Sequence, residues 1–128
     1  MQKLIRTLFK DNITYIAILI TLGVALLSLI KLGGGSVNII HIDKLEHAFA
    51  YCVLTLSWLL AIKKAAVKAR FRYVIALGCL FYGMIIEVLQ EVLTTYRTGS
   101  FLDILANFVG ISMALLLFKF VYKKINAI

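Results

Sequence analysis

Long apolar runs alternate along this chain with short polar breaks, and the runs are as long as membrane-spanning helices. Asn12 to Ile30 carries no charge for 19 residues, enough to cross a hydrocarbon core of about 30 Å at about 1.5 Å per residue. Gly33-Gly34-Gly35-Ser36 breaks the pattern and reads as a flexible connection. Val37 to Ile42 is apolar but short and suits the membrane surface. A second run begins near Asp43, a good N-cap residue, and reaches Ile62. A basic loop with Lys63, Lys64, Lys68, Arg70 and Arg72 separates it from a third run, Tyr73 to Leu93. The fourth run starts at Phe101 and continues to Phe118 or beyond. The pattern predicts an all-α integral membrane bundle of four transmembrane helices, about 12–30, 43–62, 73–93 and 101–120, in a single domain over 1–128. No internal repeat is visible.

A cleaved signal peptide would have a shorter apolar core and a small-residue cleavage site, and none follows Ile30, so the first run reads as a retained helix. Thr14, Ala17, Thr21, Ala25 and Ser28 share one of its faces. Small residues in such a stripe let another helix approach, which makes it a packing face.

Composition agrees with the runs. The chain is 62% hydrophobic and has no proline, against roughly 45–50% apolar in soluble domains. A net charge of +8 raises the question of nucleic acid. The basic residues, however, flank the apolar runs, and no zinc-ligand spacing, RNA-binding aromatic signature or basic arm is present. Four helices put both termini on one side. That side, with the 63–72 loop, holds Lys3, Arg6, Lys10, Lys63, Lys64, Lys68, Arg70, Arg72, Lys119, Lys123 and Lys124, eleven of the fourteen basic residues. The other side has Lys31, Lys44 and Arg97. The positive-inside rule then places both termini in the cytoplasm. Of the acids only Asp11 is on that side; Asp43, Glu46, Glu87, Glu91 and Asp103 belong to the outer half. Cys52 and Cys79 lie inside apolar runs and behave there as small hydrophobes.

The outer half carries the candidate chemistry. A charged side chain at mid-membrane costs about 2.5–3.5 kcal/mol, so such a residue usually has a partner and a task. Asp103 and Asn107 open the fourth helix four residues apart, with Gly110 three later; all fall on one face. Asp43, His47 and Tyr51 are spaced i, i+4, i+8 on the second, with Lys44 beside them. Gly83, Glu87, Gln90 and Glu91 occupy one side of the third. Facing these stripes inward forms a polar pocket open to the outside; facing them outward exposes carboxylates to lipid. Each residue also has a plain reading. Asp43 caps a helix, Lys44 snorkels, Glu91 sits at the headgroups, Tyr51 is core, and Glu46, turned about 100° from His47, is a solvated end residue. A structural ion pair between a carboxylate and Arg97 is the plain reading of the rest.

The motifs Asp43-Lys44-x-x-His47-x-x-x-Tyr51, Gly83-x-x-x-Glu87-x-x-Gln90 and Arg97-x-x-Ser100-x-x-Asp103-x-x-x-Asn107-x-x-Gly110 resemble the VanZ-like family. These are small membrane proteins named for a component linked to resistance against the glycopeptide antibiotic teicoplanin. The resemblance covers roughly residues 12–120; Glu46, Glu91 and Cys52 lie outside its pattern. It implies a multi-pass protein of the bacterial cytoplasmic membrane with Asp43, Lys44, His47, Tyr51, Glu87, Gln90, Arg97, Ser100, Asp103 and Asn107 at the site, and supplies no reaction.

Three functions fit these parts. In the first, the pocket binds or handles a lipid-linked cell-envelope component, Lys44 and Arg97 holding an anionic head group and the apolar walls its tail. In the second, the chain is a membrane enzyme acting on a lipid phosphate or ester. His47 is then the acid–base group, oriented by Asp43 or Asp103; Glu87 and Asp103 supply a second carboxylate role, and Arg97 stabilises an anion. Ser100 beside Gly99 is a weak nucleophile candidate. The third, a transporter or proton relay, conflicts with the apolar inner half and the missing inverted repeat. The first is favoured and the enzyme is its alternative. The carboxylates could also bind a divalent cation, but their spacing is not diagnostic, and no metal or other cofactor is assigned. The expected partners are membrane lipids; a homo-oligomer or a partner membrane protein is left open.

Overall fold

A computed structural model describes residues 1–30, 40–93 and 101–127, with the backbone alone for residues 9, 11, 40–43, 63 and 64. The described residues are helical almost throughout: α1 (Gln2–Leu29), α2 (Ile40–Ala61), α3 (Lys63–Val67), α4 (Ala69–Leu93) and α5 (Phe101–Ala127). The expected glycine-rich connection over 33–36 lies outside the described residues, as do Arg97 and Ser100.

The helices are longer than the apolar runs that announced them. α1 starts at Gln2, because residues 2–11 contain no proline or glycine to stop it. α5 continues through Lys119, Lys123 and Lys124, good helix formers, to Ala127. α2 is already helical at Ile40, so Asp43 lies inside the helix and is not the N-cap. The expected basic loop is instead a five-residue helix, α3, followed at once by α4. Ala65 and Ala66 favour helix, and Ala65 is fully buried. Arg72 Nη1 donates to Ala65 O at 3.3 Å, tying α3 to α4.

Three described helices are long and apolar enough to cross a membrane: Asn12–Leu29 within α1, α4 and α5. α2 has the length, at 22 residues, but Lys44, Glu46 and His47 dilute its first turns. It is also the most enclosed helix. It packs chiefly on α5, and also on α1, α4 and α3. α4 and α5 by contrast present Leu77, Phe81, Val88, Phe108, Val109 and Leu116, each more than half exposed, on their outer faces. Apolar surface on that scale is covered by lipid in a membrane protein.

α2 and α5 run parallel, and Gly110 sets how closely they pack. A Cβ at Gly110 would collide with the Ala48 carbonyl oxygen, and would stand 3.0 Å from Ala48 Cα. Small residues that let two backbones touch are the usual means of joining membrane helices. α1 docks by its small-residue face: Ala17 is fully buried, while Thr14 is exposed. Thr21 is the hub of that face. Its Oγ1 accepts from Trp58 Nε1 of α2 at 2.9 Å, and its carbonyl accepts from Tyr82 Oη of α4 at 2.6 Å.

Candidate functional site

The first turns of α2 and α5 and the last turns of α4 meet at one end of the bundle. Among the described residues, that end gathers Lys44 and His47 from α2, Glu87 from α4, and Asp103 and Asn107 from α5. Helical spacing puts them there. His47 and Tyr51 are one turn apart on the buried side of α2. On α5 the buried positions are Asp103, Asn107, Gly110, Ile111, Ala114 and Phe118, a stripe about as narrow as i, i+4, i+7 spacing gives. Glu87 follows Gly83 by one turn on the buried side of α4.

Burial is nearly complete. Glu87 is 4% exposed, Asp103 6% and Asn107 1%. Lys44 is the accessible member, its side chain 29% exposed. Lys44 Nζ donates to Asp103 Oδ1 at 3.3 Å. The other carboxylate oxygen, Oδ2, lies 4.0 Å from His47 Nε2. Across the imidazole, His47 Nδ1 is 3.2 Å from Asn107 Oδ1 and 3.9 Å from Glu87 Oε1. With the amide oxygen facing the ring, Nδ1 carries the proton and donates to Asn107. Asp103 lies in the first turn of α5.

Gly83 closes the floor of this cluster. A Cβ there would come within 2.9 Å of Asn107 Nδ2 and 3.0 Å of Tyr51 Cε1. The missing side chain therefore lets the Asn107 amide and the Tyr51 ring lie against α4. Tyr51 is 2% exposed, and its hydroxyl and Asn107 Nδ2 make no hydrogen bond within the described structure.

The expected site residues thus divide. Lys44, His47, Glu87, Asp103 and Asn107 come together with Tyr51 beneath them. Gln90 is buried, but its Nε2 donates to Ser28 O of α1 at 2.8 Å, which fastens α4 to α1. Glu46 and Glu91 are exposed. Asp43 shares the first turns of α2, and its side chain lies outside the described structure, as do Arg97 and Ser100.

Two cavities of the described residues lie away from this cluster. One, of about 260 Å³, lies between Thr21, Trp58, Gly78 and Tyr82. The other, of about 790 Å³, lies at the opposite, basic end between Lys10, Leu60, Val67, Tyr122 and Asn126. At the polar cluster Gly110 lets α5 touch the α2 backbone, and Gly83 leaves room for Asn107 and Tyr51. Sequence reasoning also missed the Thr21–Trp58–Tyr82 hydrogen bonds. A threonine in an otherwise small-residue stripe was the available signal. No family model, curated protein or solved structure matches this chain.

Proposed function

We propose that this chain is a four-span membrane protein with both termini in the cytoplasm, and that its polar cluster binds the head group of a lipid-linked cell-envelope component. The observation that carries this reading is the burial of ionisable side chains from three helices at the end of the bundle poorest in lysine and arginine. Purely structural needs favour apolar residues at such positions. Lys44, at the rim and part exposed, is the cation that meets a phosphate first, with Arg97 as the second by virtue of the VanZ-like motif. The outward apolar faces of α4 and α5 offer surface for an isoprenoid tail.

Binding is tested on full-length protein in detergent with a polyprenyl phosphate as probe and a chelator present, read by native mass spectrometry. The adduct is expected in the parent and Glu46→Gln proteins and strongly reduced in Lys44→Ala and Arg97→Ala. Equal adducts in all four would overturn the reading.

One observation favours the enzyme as a second reading. His47 stands between two carboxylates, 3.9 and 4.0 Å away, the setting that orients an imidazole for acid–base work. Release of phosphate or headgroup from the same probe, lost in His47→Ala, would establish it.

A further inference from the structure

We infer that His47, Glu87 and Asp103 form a binding site for one divalent transition-metal ion, of the zinc or manganese class. The inference deepens the reading of this cluster as a binding site but does not need the ligand to be a lipid.

One ligand atom from each of these residues can be chosen so that all lie within 4.8 Å of one another. Metal–ligand bonds of about 2.0–2.2 Å hold donors roughly 3–4 Å apart. Small side-chain rotations therefore complete the set without moving a helix. The His47 Nε2 to Asp103 Oδ2 separation is informative. At 4.0 Å it is too long for a hydrogen bond. It matches two donors on opposite sides of one ion.

The surroundings are arranged as they are around metal-bound histidines. Asn107 Oδ1, 3.2 Å from Nδ1, can accept only from the tautomer protonated there, the one whose Nε2 can ligate a metal. Lys44 engages Asp103 through Oδ1, leaving Oδ2 on the histidine side.

A second observation is independent of the donor set. The Tyr51 hydroxyl, on a side chain 2% exposed, makes no hydrogen bond within the described structure. Tyr51 lies one turn below His47 and packs at Gly83, one turn below Glu87. A buried phenol left with an open valence beneath the three donors fits a site that takes up an ion with its water. One imidazole with two carboxylates suits zinc or manganese better than a thiolate-preferring ion.

The test uses full-length protein in detergent, stripped with a chelator and dialysed against Mn²⁺ or Zn²⁺ with no lipid probe added. Metal is counted by plasma mass spectrometry, and helix content by circular dichroism. We expect one equivalent in the parent and in Glu46→Gln, and affinity weaker by about tenfold or more in His47→Ala, Glu87→Gln and Asp103→Asn. Bound Mn²⁺ should also show ¹⁴N hyperfine coupling from an imidazole. That signal gives a readout on the parent protein even if a variant fails to fold. Absence of stoichiometric binding to the parent, binding without nitrogen coupling, or equal binding by folded His47→Ala and Glu46→Gln would each overturn the inference. Because lipid binding is measured in chelator, the two readings fail separately.

Discussion

Adjacent residues make the sharpest comparison at the site. His47 has a side chain 10% exposed, against two carboxylates and an amide, while Glu46 is exposed. Both sit at the same depth, so a general insertion defect affects both. His47→Ala is expected to abolish the phenotype that the intact gene gives in a deletion strain, for instance altered lipoglycopeptide sensitivity, at unchanged membrane abundance. Glu46→Gln should be silent, and Asp103→Asn should resemble His47→Ala. Equal loss in the Glu46 and His47 variants at normal abundance would refute the assignment of faces. Glycines give a second pair. Gly110→Ala forces a methyl into the Ala48 carbonyl, and should destabilise the protein by about 1–3 kcal/mol. Gly78→Ala meets nothing within 4 Å and should be neutral or stabilising by up to about 1 kcal/mol. Thermal unfolding in detergent separates them. The sequence made the facing stripes legible, since Asp103, Asn107 and Gly110 repeat with the helix. It could not show that one imidazole would meet two carboxylates, because that depends on how three helices rotate against each other.

At the scale of elements, apolar runs located the spans but not the helix ends. Polarity marks where a membrane stops, whereas helix ends are marked by proline and glycine, which residues 2–11 and 119–127 lack. Asp43 was therefore read as a cap, while the chain is already helical three residues earlier, at Ile40. The docking of α1 was legible only as a small-residue face. Its polar fastening comes from Trp58 and Tyr82 on other helices. Tyr82→Phe removes the 2.6 Å bond to Thr21 O and should cost about 0.5–1.5 kcal/mol, near the range of such bonds in membranes. The measurement is thermal unfolding, with Mn²⁺ affinity as the control that should not move. Loss of metal binding in a folded Tyr82→Phe would mean that α1 and the cluster are coupled.

By sequence, eleven of the fourteen basic residues belong to one side of the proposed bundle and five of the six acids to the other. That asymmetry is the basis of the proposed orientation. Gly34→Cys, Lys68→Cys and Asn126→Cys, each in a variant lacking Cys52 and Cys79, should react differently with an impermeant thiol reagent on intact cells. Only position 34 should label. Labelling at 68 would reject the orientation.

The enclosure of α2 bears on how the chain is made. Ribosomes deliver α2 to the translocon before α4 and α5 exist. Its least apolar turns, around Lys44 and His47, then have no Asp103 or Glu87 to meet. α2 should therefore enter the bilayer late, chaperoned by helices that the ribosome has yet to release. A nascent chain ending at Leu93 is expected to hold α2 poorly, as read by a glycosylation tag placed before Ile40. Lys44→Met with His47→Leu should restore α2 in that truncated chain, by removing what α5 would otherwise have to neutralise.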